Sequence, residues 1–146
     1  MLIPTEPLIV TGAFGPRLPA SRVAEALARG FQAAGLQGTD LCPLPEDLEE
    51  VAGMRAWLEQ QAIDSRLRRA RAVILGEWLL EERILAGTAT FEIATRARQS
   101  GVPAYAVTGE DRLNCFDARM LDLQLVLEAR TARALTAAGR KLASVI

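Results

Sequence analysis

Short apolar runs closed by glycine alternate along this chain with stretches whose apolar positions recur every three or four residues. Residues 7–12, PLIVTG, read as a buried strand. Residues 19–34 follow as a helix. Val23, Ala24, Leu27, Phe31 and Ala34 form its apolar stripe, and Arg22, Glu25 and Arg29 face away. Pro19 suits the first helical turn and Gly35 a left-handed closing residue. Residues 39–43, TDLCP, fit a short strand. Residues 45–70 predict a helix interrupted near Gly53, with Pro45 at its start and Glu46, Asp47, Glu49 and Glu50 near the positive end of its dipole. Met54, Trp57, Leu58, Ala62 and Leu67 supply its apolar face. RAVILG, 71–76, is the clearest strand. Residues 89–100 predict a helix stopped by Gly101 and Pro103, and AYAVTG, 104–109, another strand. A long helix is predicted over 122–144, offering Leu123, Val126, Leu127, Ala134, Leu142 and Ala143 for burial.

Strands alternating with helices imply right-handed crossovers and a parallel sheet covered on both faces. The expected fold is therefore a three-layer α/β sandwich, with a mostly parallel sheet of four or five strands. Ligands bind such sheets beyond the carboxyl ends of the strands. Those ends are the loops at 11–18, 43–48, 76–90 and 108–114.

Composition narrows the chemistry. The 146 residues suit one domain, and at 50% hydrophobic content disorder is not expected. A net charge of −1 and 5% aromatic residues give no field or stacking platform for nucleic acid. There is no histidine, which excludes a Ser-His-Asp triad, histidine general-base catalysis and the usual zinc sites. Cys42 and Cys115 lie in no ligand spacing and are expected as small hydrophobes in buried strands. No run approaches the roughly 18 apolar residues of a membrane span, so a cytoplasmic location is the default expectation. Lys141 is the only lysine among 17 basic residues. The basic run RLRRAR, 66–71, is expected at the end of a helix, where positive charge is favourable anyway.

Three stretches, in order, resemble the bacterial glycerate kinase family of the two-domain type. LIVTGAFGPRLPASRVAEALARGF resembles its first strand, its Asp-Ser-Phe-Lys-Gly-Ser-Leu-Ser-Ala loop and the following helix, with Phe14, Leu18, Ala20 and Val23–Ala26 matching. CPLPEDLEEV lies where the family has Pro-x-Ala-Asp-Gly-Gly-Glu-Gly-Thr, with Pro43 and Glu49 matching and Glu46 at the aspartate position. IDSRLRRARAVILGEWLLEERILAGTATFEIATRARQSGVPAYAVTG resembles the family's Val-Ile-Thr-Gly-Glu-Gly-Arg-Leu-Asp stretch and its continuation. Gly76, Glu77, Leu80, Leu85, Gly87, Ala94, Gly101, Val102 and Pro103 match there. The resemblance implies one Rossmann-like domain over 1–146, with the family's second domain missing from a break near 51–57. In the family, substrate and nucleotide are handled between the two domains, so one wall of that cleft is absent.

The polar residues of the resemblance are largely replaced. Phosphoryl transfer needs cations, metal-holding carboxylates and close-approach glycines. Where the family has its loop aspartate and lysine, this chain has Gly12 and Gly15; its loop serines are Arg17 and Pro19. After the Gly-Glu pair come Trp78, Leu79, Leu80 and Glu81. The family's glutamine, hydroxyl and lysine positions hold Arg83, Ile84 and Thr88. One oriented electrostatic contact is worth ~3–4 kcal/mol of barrier, so this many losses would remove most of a rate enhancement.

The resulting expectation is a glycerate-kinase-like domain without kinase activity, acting as a small binding or self-associating module. The alternative is an ATP-dependent phosphotransferase acting on glycerate or a related hydroxy acid. Its cleft would be completed by an oligomer partner, and ATP and Mg²⁺ enter only under that alternative. Glu77 and Glu81 are then the candidates for metal or catalytic work, each also readable as a solvated carboxylate. Gly12, Gly15, Arg17, Gly76, Gly87 and Thr88 are the candidates for phosphate or anion binding, chiefly around the start of the first helix. Trp78 and Leu79 are candidates for packing or a homo-oligomer interface rather than a small-molecule pocket. A small anionic ligand and a second copy of the chain are the expected partners, with no nucleic acid or membrane among them.

Overall fold

The central strands are buried on both faces, and alternate residues along them enter two separate cores. A computed structural model describes residues 4–46, 48 and 51–146. Its strands are β1 (Glu6–Thr11), β2 (Asp40–Pro43), β3 (Ala70–Leu80), β4 (Ala104–Asp111) and β5 (Leu123–Glu128). They form one open parallel sheet in the order β2-β1-β3-β4-β5. The helices are α1 (Ala20–Ala33), α2 (Val51–Gln60), α3 (Ile63–Arg69), α4 (Ala89–Gln99), α5 (Cys115–Leu121) and α6 (Ala132–Ala143). The result is the three-layer Rossmann-like α/β arrangement.

Leu8, Val10, Val73, Leu75, Ala104 and Ala106 point to one face, where Leu58, Ile63, Leu67, Ile93 and Leu121 from α2, α3, α4 and α5 cover them. Ile9, Ala72, Ile74, Tyr105 and Val107 point to the other, beneath Val23, Leu27 and Phe31 of α1 and Leu135, Ala138 and Leu142 of α6. A strand buried on both faces reads as a continuous apolar run, as PLIV and AVIL do.

The two helices of the second face touch backbone to backbone. A Cβ at Gly30 would lie 2.1 Å from the Thr136 carbonyl oxygen, and one at Gly139 would lie 2.3 Å from that of Leu27. The Thr136 hydroxyl also donates to the Ala26 carbonyl at 2.9 Å.

Four elements differ from the sequence reading. The break in the 45–70 helix falls at Gln61–Ala62, not at Gly53, which lies inside α2. Ala62 takes a left-handed conformation at φ 51°. This turn delivers Arg66 of α3 to the edge strand β2. Its guanidinium holds both Asp40 carboxylate oxygens at 2.9 and 2.7 Å, the Leu41 carbonyl at 2.9 Å and the Gln61 side chain at 3.1 Å. Pro45 and Glu46 precede α2, whereas Asp47, Glu49 and Glu50 lie outside the described residues.

β3 runs four residues past Gly76, so Glu77, Trp78, Leu79 and Leu80 belong to the strand and not to a loop. Pairing of Glu77 with Thr108 and of Leu79 with Glu110 carries it onward. The expected helix over 122–144 is instead strand β5 followed by α6. LQLVLE is rich in good helix formers, but β4 offers it a ladder and two covered faces, and that tertiary pairing wins over propensity. Asp122, at φ 51°, ends α5, and the Thr131 hydroxyl caps α6 by accepting from the Ala134 N–H at 3.1 Å. Cys42 is buried in β2 as expected. Cys115 is not in a strand; it opens α5 and is exposed.

Candidate functional site

From β1 the chain crosses by α1 to β2 on one side, and after β2 it returns to place β3 on the other. The strand order therefore reverses between β1 and β3, which is where an open parallel sheet offers a crevice beyond its carboxyl ends. A cleft of about 800 Å³ opens there, within the usual size of a small-molecule site. Gly12 and Ala13 line it from the end of β1, Leu44–Glu46 and Leu48 from the link after β2, and Glu77–Leu79 from β3. Glu81, Arg83 and Ala86–Ala89 close it from the segment leading into α4.

Glycine sets the mouth of the cleft. The Gly12 N–H donates to the Gly76 carbonyl at 2.9 Å, and the Leu44 N–H donates to the Thr11 carbonyl at 2.8 Å. These bonds hold the ends of β1, β2 and β3 level. A Cβ at Gly76 would stand 2.5 Å from Cγ2 of Thr11, so Gly76 serves strand packing and does not itself line the cleft. The following loop then folds back on itself, with the Phe14 N–H donating to the Leu18 carbonyl at 2.8 Å. Gly15, at φ +71°, lies against the Trp78 ring. Arg17 is exposed on this loop and stands outside the cleft lining.

Trp78 is wedged among these parts. Its ring centroid is 5.7 Å from that of Phe14, tilted by 54°. A Cβ on Gly109 of β4 would fall 2.4 Å from the indole, so glycine is needed for the ring to lie there. Trp78 keeps 40% of its surface exposed and contributes to the cleft, as does half-buried Leu79.

Glu77 stands on the floor. The hydroxyl of Thr90, itself buried, donates to one of its carboxylate oxygens. Thr90 is the second residue of α4, so this bond sets the Glu77 carboxyl beside the first turn of that helix. Burial pushes the Glu77 carboxyl above the ordinary glutamate range, with the Thr90 hydrogen bond and the Arg83 charge acting in the opposite direction. Thr88 caps the same helix. Its hydroxyl accepts from the Phe91 N–H at 3.2 Å and donates to the Ile84 carbonyl at 2.7 Å. Gly87, at φ +83°, turns the chain into that cap.

Glu81 also lines the cleft, but its carboxylate is taken by Arg83, at 2.6 Å. Among the described residues no group of three or more histidine, cysteine, aspartate or glutamate side chains is placed to hold a metal ion. Also among them, no helix is long and apolar enough to cross a membrane.

The structure thus gathers Gly12, Glu77, Trp78, Leu79, Glu81, Gly87 and Thr88 at one cleft, with Gly15 touching Trp78 from outside the lining. Gly76 and Arg17 are not part of that lining. Thr90 was not visible as a site residue. A threonine near a predicted helix start is common, and its contact with Glu77 spans 13 residues. The pairing of Arg83 with Glu81, two residues apart along a 3-10 turn, had no periodic signal either.

No protein-family description matches the sequence, and no curated protein matches it. Among solved structures, the chain is similar to a protein described as glycerate kinase 2 from Salmonella typhimurium LT2, at 15% identity and a TM-score of 0.46. The alignment covers 73% of this chain and 27% of that one, so the chain spans about a quarter of the length of the protein it is similar to. The likeness is one of fold.

Proposed function

We propose that this domain binds a small molecule in the cleft between β1 and β3 and does not transfer phosphoryl groups. One observation carries the reading: a carboxyl of the chain itself, that of Glu77, stands beside the first turn of α4, held by Thr90. A helix start of this kind is where a phosphate is ordinarily received, by free N–H groups and the positive end of the dipole. A phosphate entering here would meet Glu77 rather than a cation. Among the described residues, the one basic side chain in the lining, Arg83, is paired with Glu81. Phosphoryl transfer depends on positioned positive charge, and the lining offers none that is unpaired among the described residues.

The volume and mixed lining still suit a ligand. Leu44, Pro45, Leu48, Trp78 and Leu79 give apolar surface, and Glu77 gives a half-buried polar anchor. The test is a pair of measurements on the whole chain. ATP with Mg²⁺ is added in a thermal melt, and phosphate transfer to glycerate is assayed at high protein concentration. The expected result is no rise in Tm and no transfer. A saturable rise in Tm together with transfer that is lost in Glu77→Ala would overturn this reading in favour of a phosphotransferase.

A further inference from the structure

The charge balance of the cleft assigns a ligand class, on the premise that the cleft binds a small molecule at all. Among the described residues its lining contains three acidic side chains, Glu46, Glu77 and Glu81, and one basic one, Arg83. Arg83 is paired with Glu81 at 2.6 Å, and its charge also reaches Glu77. Two acidic side chains remain. Glu46 is exposed on the β2 side, and Glu77 is half-buried, with one side-chain hydrogen bond among the described residues, from Thr90 to one of its two oxygens. The described residues contain no buried side-chain polar atom without a partner, so the other Glu77 oxygen keeps some accessible surface, and Glu77 is a lining residue of the cleft.

We propose that the cleft receives a small organic cation, an ammonium or amidinium group carried on an apolar body, with its positive head on Glu77. The polar and apolar features of the lining match the two ends of such a molecule. The second Glu77 oxygen accepts a charge-assisted hydrogen bond from the head. The exposed indole of Trp78 and the side chains of Leu44, Leu48 and Leu79 take the body, and an indole also attracts a neighbouring cation through its π face. A carboxylate or phosphate of the same size gains none of these polar contacts, because the acceptor at the floor repels it. A cation on that oxygen favours the ionised form of Glu77, in opposition to the burial that disfavours it.

The experiment compares benzamidinium, benzylammonium, benzyl alcohol, benzoate and inorganic phosphate. Affinity is read by tryptophan fluorescence and by amide shifts of Gly87 and Ala89. The two cations are expected to bind saturably, and at least roughly tenfold more tightly than benzyl alcohol or benzoate, since loss of a charged hydrogen bond typically removes that much. Glu77→Gln, which keeps the size and the Thr90 contact, is expected to erase that preference. Raising salt on the unmodified protein is expected to weaken the cations and leave benzyl alcohol unchanged. If benzoate, phosphate or benzyl alcohol binds the cleft as tightly as the cations, the charge assignment is overturned while the cleft-binding reading stands. If cation binding is indifferent to both Glu77→Gln and salt, the assignment of Glu77 is overturned. If nothing in the series binds at millimolar concentration, both readings fall.

Discussion

Thr90 and Glu77 face each other across the start of α4, the hydroxyl donating and the carboxyl accepting. Because burial raises the Glu77 pKa above its unfolded value, the sign of its effect on stability follows. The protonated form suits the fold, so the contribution of Glu77 is fully favourable below the ordinary glutamate range. It is lost as pH rises through the raised folded value. Glu77→Gln is expected to be more stable than the unmodified chain at pH 7 and to lose that advantage near pH 4. Urea melts of both proteins at the two pH values check it. Thr90→Val removes the donor and is expected to destabilise by about 1–3 kcal/mol at pH 7, while pushing the Glu77 pKa higher still.

The Gly30–Gly139 crossing sets a second expectation. Gly30→Ala drives a methyl into the Thr136 carbonyl, and backbone cannot step aside as a flexible side chain can. Overpacking of this kind costs about 1–3 kcal/mol, which for a domain of this size is several degrees of Tm. Gly139→Ala should behave alike. Gly35→Ala meets no atom within 4 Å and suffers only from its φ of +98°, so it should cost less than either. A thermal melt of the three variants ranks them.

Arg66 blunts the edge of the sheet. It is 14% exposed and ties Asp40 and the Leu41 carbonyl of β2 to α3. Arg66→Leu removes the partner of the part-exposed Asp40 and leaves the Leu41 carbonyl to water, at a cost of about 0.5–1.5 kcal/mol. Hydrogen exchange is expected to quicken first at the β2 amides, ahead of β3 and β4, because β2 is a four-residue edge strand with a single neighbour.

The two cysteines should part company. Cys115 is exposed, while Cys42 is buried and burial pushes its thiol above the usual range, against the lowering effect of Arg66. The thiolate is the reactive form. An aromatic disulfide reagent is therefore expected to titrate one thiol per native chain and two in urea. Cys115→Ser should abolish the native reaction.

Much of the sheet could be read from the chain because a strand buried on both faces writes itself as an unbroken apolar run, as in 7–12, 71–76 and 104–109. Helices α1 and α4 were equally plain, each carrying one apolar stripe and a glycine just past its end. β5 was hidden because Leu, Gln and Glu serve a helix as well as a strand, and only the open side of β4 decides between them. The turn at Ala62 was hidden for the opposite reason: glycine marks left-handed positions, and here alanine takes one while nearby Gly53 stays helical. At the cleft, the position of Glu77 directly after Gly76 near the end of a strand could be read from the chain. That β3 continues through Trp78 and Leu79 could not, since the room for the indole comes from Gly109, a residue 31 positions on.

The close seating of α1 on α6 also orders the making of the fold. During synthesis β1, β3 and β4 can assemble as soon as residue 111 is free, and α4 can cover their first face. On their second face α1 is already made, and α6 completes the cover over Ile74, Tyr105 and Val107. Until residues 132–143 emerge, α1 lies on the sheet through Val23, Leu27 and Phe31 while its Gly30 side stays uncovered. α6 thus locks the much earlier α1, a long-range closure of the kind that slows folding.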